Sequence, residues 1–273
     1  MHHKHVFDEK AQASTLNYDT FVKHDTIIIK SCTGTGKTTA VARHAKRYIE
    51  QNPKTKLLTI TTRTTLSDQH QLSFSETNMK HYKTTKGPLH REKSLTICIN
   101  SLRKINLLEA SDLNEYIVYI DEVASFLELT HNDTTNATLK ETFYYIANII
   151  KHAKKVIVSD ALINDNVFYF LRHRTDAKTI FVENSFKKFQ SVKAVRVRDE
   201  QKFLDSLIEH CRNEVFFLFG CDSETVVSKL YQKCLESCPE KKHLFKLITA
   251  KTDTTITDAS EEFKNHFCLL YTS

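Results

Sequence analysis

The sequence predicts an α/β fold: one doubly wound domain on a parallel sheet, followed by a shorter unit of the same kind. Three observations predict it. Runs such as "TIIIK" and "YIVYIDE" are apolar on both faces, which is how strands buried between two helical layers read. These runs alternate with longer segments whose apolar residues recur at helical spacing. The stretch "KSCTGTGKTTA", Lys30–Ala40, holds two of the chain's four glycines, Gly34 and Gly36, between the first such run and a helix. A chain so poor in glycine that spends it there needs close backbone approach at that point.

Taken in order, "TIIIK" (Thr26–Lys30) is a strand, and "TTAVARHAKRYIE" follows as a helix with Ala40, Val41, Ala45 and Tyr48 near helical spacing. "KLLTIT" (Lys56–Thr61) is a second strand, with a helix over "TLSDQHQLSF". "SLTICIN" (Ser94–Asn100) and "YIVYIDE" (Tyr116–Glu122) are the third and fourth strands. A helical tract near Leu139–His152, "KVIVSD" (Lys155–Asp160), the helix "NVFYFLRH" and the strand "KTIFVE" (Lys178–Glu183) complete the first domain. The pattern then restarts with "SVKAVRVR", a helix from about Glu200, "EVFFLFG", a helix across Ser223–Cys234, "HLFKLIT" and "HFCLLYTS". The expected organisation is an N-terminal extension over 1–25, a first α/β domain over 26–185 and a partial second domain over 186–273. That second unit stops on a strand at Ser273; a parallel strand normally feeds another element, so the expectation is a fragment.

With 273 residues, 40% hydrophobic and 26% charged, the chain has room for one large domain or two small ones. No apolar run approaches the length a membrane-spanning helix needs, so no membrane partner is expected, and the polar N-terminus lacks a secretory h-region. The seven cysteines are odd in number and irregularly spaced, so the reading is an intracellular protein, nuclear or cytoplasmic, with reduced thiols. Cys221, Cys234, Cys238 and His243 lack the paired spacing of a zinc site, and Cys234 and Cys238 read as small apolar residues one helical turn apart. The net charge of +6 permits a nucleic-acid partner without demanding one. "KHAKK" (Lys151–Lys155) precedes a strand and reads as a solvated turn.

Strand, glycine turn, Gly-Lys-Thr and helix together make a phosphate loop. Gly34 and Gly36 would let backbone amides of Ser31–Thr39 face phosphate oxygens, and the helix would present its positive end to the same anion. Lys37 would reach the β- and γ-phosphates of ATP, and Thr38 would hold Mg2+. Ser31 stands where the commonest pattern has glycine. Downstream, Asp121 ends a buried strand, where α/β sheets gather their ligand chemistry. It would share the magnesium with Thr38, and Glu122 would polarise the attacking water.

Several stretches then match one family together. The chain resembles the superfamily 2 helicases, most closely the replication origin-binding-protein helicases of herpesviruses and their relatives in other large DNA viruses. "SCTGTGKTT" is similar to motif I, "TITTRTTLSDQ" to motif Ia, "CINSLRKI" to the family's "DSL-R" segment, "IDEVASFLELT" to its motif II and "VIVSDALIND" to its motif III. "EVFFLFGCDSETV" resembles motif IV and "CLLYTS" the opening of motif V. The resemblance implies a P-loop NTPase with a RecA-like parallel-sheet domain and an incomplete second RecA-like domain. It implies an ATP-hydrolysing DNA helicase acting in replication, with single-stranded DNA as partner and other helicase segments or replication proteins beside it. It also implies that Thr61, Thr62, Arg63, Ser101 and Arg103 touch the DNA backbone and that Asp160 couples the ATP site to the DNA site. The rest of motif V and motif VI, which carries an arginine finger in the family, is not matched, so the chain alone is expected to bind ATP and hydrolyse it poorly. The competing expectations are a non-hydrolysing nucleic-acid-binding module and, against the evidence of a second α/β unit, a small-molecule kinase.

Overall fold

The computed structural model describes residues 3–7, 16–106, 110–131, 137–174, 177–186, 199–213, 217–221, 223–248 and 268–272. Chain contacts divide it into two units, residues 1–190 and 191–273.

The first unit is built on eight strands: β1 (His3–Phe7), β2 (Thr26–Lys30), β3 (Lys56–Thr61), β4 (Lys80–His81), β5 (Ser94–Cys98), β6 (Tyr116–Asp121), β7 (Lys155–Asp160) and β8 (Thr179–Asn184). They lie in the order β1-β8-β2-β7-β6-β3-β5-β4 and every pairing is parallel. The helices are α1 (Tyr18–Lys23), α2 (Lys37–Gln51), α3 (Thr64–Ser73), α4 (Ala110–Leu113), α5 (Val123–His131), α6 (Ala137–His152) and α7 (Asp165–Leu171).

Strand alternation sorts the core into two layers. Ile28, Leu58, Ile60, Val118, Ile120, Val156 and Val158 point to one face, where Phe126, Ile146, Ile149, Ile150 and Phe170 meet them. Ile27, Ile29, Leu57, Ile117, Tyr119 and Ile157 point to the other, against Phe21, Val41, Ala45, Ile49 and Phe74. β6 is buried at all six positions. Each such aliphatic side chain contributes about 1.5–3 kcal/mol when fully buried, so the continuous apolar runs are what the two helical layers require.

The stretch expected to be an extension is part of this unit. His3–Phe7 pairs with β8 in register His3 with Ile180. Asn17 caps α1 through its side chain, and Phe21 is fully buried beside His44 and Tyr48. Burial of that ring needs a core, and the core is the one over β2. The turn expected at Lys151–Lys155 is also corrected at its last residue. Lys155 is 2% exposed, its Nζ donates to the His24 carbonyl, and it lies over the rings of Phe21 and Tyr48.

The second unit contains α8 (Glu200–Arg212), β9 (Phe217–Cys221), α9 (Glu224–Ser237), β10 (Phe245–Ile248) and β11 (Cys268–Thr272). Its parallel sheet runs β10-β11-β9. Cys211, Cys234 and Cys238 are buried with Val227, Leu230 and Phe245. Burial, then the neighbouring Cys234, pushes the Cys211 thiol up to about 12, so it is an inert apolar residue. His243 is exposed, and among the described residues no group of three His, Cys, Asp or Glu is placed to hold a metal. "SVKAVRVR" lies outside the described residues.

Candidate nucleotide and metal site

After Lys30 the chain turns through Ser31–Gly36 into α2. Gly34 (φ 74°) and Gly36 (φ 81°) are left-handed, the region where a Cβ is disfavoured. Gly36 is the N-cap of α2 and supplies no side-chain cap. The first amides of α2 therefore keep their donors for an anion. Lys37 Nζ donates to the carbonyls of Ser31 (2.8 Å) and Cys32 (3.1 Å), which ties its charge across the mouth of the loop.

The side chains of Ser31 and Thr35 stay within the loop. Ser31 Oγ and Thr35 Oγ1 share a 2.7 Å hydrogen bond, and Thr35 Oγ1 also donates to the Cys32 carbonyl. Both residues are buried. Their hydroxyls are consumed inside the loop and hold its two ends together, so they do not line the cleft. The cleft, about 440 Å³, is lined instead by Gly34, Gly36, Lys37, Thr38, Thr39, Asp121, Glu122 and Asp160, among others.

Across it, Thr38 Oγ1 donates to Asp121 Oδ2 at 2.8 Å. Asp121 Oδ1 accepts from Ser159 Oγ (2.5 Å) and from the Glu122 amide (3.1 Å). Burial alone would raise the Asp121 carboxyl. The His70 ring, the Ser159 hydroxyl and the Thr38 hydroxyl outweigh it and hold the group well below the usual carboxylate range. Tyr119, fully buried with its hydroxyl on Ser159 Oγ (2.9 Å) and Thr38 Oγ1 (3.4 Å), is pushed far up by burial and stays a donor. A hydroxyl and an ionised carboxylate side by side are hard oxygen donors. They fit Mg2+, which takes one or two protein oxygens and completes its shell with phosphate and water.

Glu122 is exposed and sits at φ 53°, left-handed for a residue that has a Cβ. Its backbone turns the chain from β6 into α5 and leaves its carboxylate at the cleft. Asp160 Oδ2 accepts from the Ala124 amide (2.8 Å) and Oδ1 from the Leu162 amide (3.0 Å). It thus ties the end of β7 to the first turn of α5, directly after Glu122.

The expected phosphate-tracking residues lie at the C-terminal ends of β3 and β5, on the same sheet edge as the cleft. They divide by burial. Thr61 is fully buried, with its hydroxyl on the Arg63 carbonyl (3.1 Å) and Ser67 Oγ (2.5 Å), and Thr62 is 7% exposed. Their hydroxyls face inward and are not contact groups. Arg63 is exposed at the N-cap of α3. Ser101 is half-buried, and Arg103 is exposed in an ion pair with Glu141 at 2.6 Å.

Ser125 and Ala161 also line the cleft, and so do Leu66, Gln69, His70 and Ser73 of α3, to which the sequence reading gave no place in it. Their i, i+3, i+4, i+7 spacing marks one helix face. That signal was present, but the face is mostly polar and did not stand out as inward. His70 is 1% exposed, stacked on Tyr119 (5.4 Å between centroids, 16° between planes), with Nε2 3.6 Å from Asp121 Oδ2.

A glycine loop opening a helix, faced by a strand-end Asp-Glu pair on a parallel sheet, defines a P-loop NTPase core of the RecA-like helicase type. Residues 4–160 match the family described as "Type III restriction enzyme, res subunit", and the chain belongs to that family. Two curated relatives come from Acanthamoeba polyphaga mimivirus. One, named a putative replication origin-binding protein, is 32% identical over 179 residues, covering 62% of this chain and 22% of its own. The other, named an uncharacterized putative helicase, is 26% identical over 178 residues, covering 60% and 16%. The chain thus spans about a fifth of the length of these relatives. Among solved structures, the DUF1998 helicase MrfA bound to DNA and AMPPNP superposes with a TM-score of 0.65 at 13% identity, over 96% of this chain and 41% of that one. The resemblance to superfamily 2 helicases and the RecA-like fold both hold at this level.

Proposed function

We propose that this chain is the motor portion of an ATP-driven DNA helicase or translocase of the replication origin-binding type. The observation that carries the proposal is the Thr38 Oγ1–Asp121 Oδ2 contact at 2.8 Å, set between the amides at the start of α2 and the Glu122 carboxylate. Hard oxygens, anion-binding amides and a water-polarising acid meet in one cleft. Phosphoanhydride hydrolysis needs those three together.

In this reading the amides of Gly34–Thr39 and the Lys37 ammonium hold the phosphates. Thr38 and Asp121 would hold Mg2+, which would supply positive charge against the phosphates. The Glu122 carboxylate accepts the proton of the attacking water. Arg63, Ser101 and Arg103 are the groups able to meet a nucleic-acid backbone, through contacts that position without reading sequence. Asp160, bonded to the amide of Ala124, links the water-activating turn to β7. DNA rather than RNA, and a role in replication, rest on the relative named a replication origin-binding protein.

The test is ATPase turnover of the chain with and without single-stranded DNA, beside Lys37→Ala and Glu122→Gln. Both variants should lose at least about 100-fold in kcat, the scale of removing one transition-state stabiliser. Glu122→Gln should keep nucleotide affinity while Lys37→Ala loses it. Nucleotide binding that needs Lys37 in a chain that shows no turnover would favour a non-hydrolysing binding module. Turnover unchanged in both variants would refute the assignment.

A further inference from the structure

His70 is a buried cleft group that helps hold the Asp121 carboxyl low but has no part in the hydrolytic step. Both its ring nitrogens are buried and lack a hydrogen-bond partner. Orphaned buried polar groups are costly and persist where a function or a missing partner explains them. The ring cannot turn away to water. It is stacked on Tyr119 from β6 and packs against Phe74 at 5.7 Å. Its Nε2 lies 3.6 Å from Asp121 Oδ2, the same oxygen that accepts from the Thr38 hydroxyl. The ring therefore rests against the carboxylate that would hold the cation.

His70 also belongs to an element with a second end. α3 runs from Thr64 to Ser73, with Arg63 as its N-cap. The entry turn is pinned to the helix by Thr61 Oγ1, which bonds both Ser67 Oγ and the Arg63 carbonyl. One short rigid helix thus carries the metal-site ring near one end and the exposed guanidinium at the other. Resting on the function proposed above, we infer that His70 is a positioning residue that links cation and nucleotide at Thr38–Asp121 to the affinity of the Arg63 turn for a nucleic-acid backbone, with α3 as the connecting element.

The experiment measures the Kd of a labelled oligo-dT strand for the full chain, without nucleotide and with Mg-AMPPNP, for wild type, His70→Phe and His70→Gln. Phenylalanine keeps the stacking on Tyr119 and Phe74 and removes both orphaned nitrogens, so this variant should melt no lower than wild type. Wild type should show at least about a 5-fold change in Kd between the two states, the lower end of ordinary coupling between sites. In His70→Phe the change should fall below 2-fold, with Kd for the strand in the nucleotide-free state kept at the wild-type value. His70→Gln, which restores a polar group, should recover part of the change and guards against a folding defect in the first variant. A merely structural ring would shift melting and leave the ratio intact. A ratio kept at the wild-type value in His70→Phe, or absent in wild type that binds the strand, overturns the inference and leaves the motor reading standing. Wild type that binds no strand in either state overturns both.

Discussion

Glu122 holds a left-handed backbone at φ 53° although it carries a Cβ and no glycine's freedom. Such residues cost about 1–3 kcal/mol and persist where the surroundings impose them, often at functional turns. Here the imposing contacts are the Asp121 carboxylate on its amide and the Asp160 carboxylate on the next turn of α5. Glu122→Gly should therefore relieve strain and raise the melting temperature by about 2–4 °C, equivalent to roughly 1 kcal/mol, while abolishing turnover; a melting scan beside an ATPase assay checks both halves. Single residues were legible where chemistry demands a type at a spacing, as with Lys37, Thr38, Asp121 and Glu122. They were not legible where burial decides. Ser31 and Thr35 sit inside the phosphate-loop pattern, yet their hydroxyls bond each other. Thr61 carries a hydroxyl suited to phosphate and turns it inward.

At the scale of elements, the strands read well because β2, β3, β5, β6 and β7 are apolar on both faces and bounded by polar turns. β4, only two residues long, and α1, six residues long, are too short for a period to emerge. Lys155 shows the same limit from the other side. A lysine at a strand start reads as solvated, but α1 covers it. Burial pushes its ammonium down to about 8, against 10.5 for the free side chain. The folded chain then binds fewer protons than the unfolded chain between those values. Stability should rise with pH through about 8 to 10.5, by of order 1–3 kcal/mol. Lys155→Met should flatten that slope, which chemical denaturation at a series of pH values measures.

For the molecule as a whole, the first unit closes its sheet with residues from both of its ends: β1 pairs with β8, and α1 lies on α2. No spacing in "HKHVF" announces a strand, because the pairing that makes it one is with Ile180 onward. Phe21→Ala should accordingly destabilise the first unit by about 3–5 kcal/mol, a shift in urea midpoint that a dispensable extension would not show. β2, which delivers the phosphate loop, has β7 and β8 as its two neighbours, with Ile28 opposite Val158 and Phe181. On a ribosome emitting about 5–20 residues per second, that strand waits on the order of ten seconds for either partner. During that interval the loop is chain without a frame, and ATP in the cell has nothing to grip. Nucleotide can reward this fold only after β7 and β8 have emerged to flank β2.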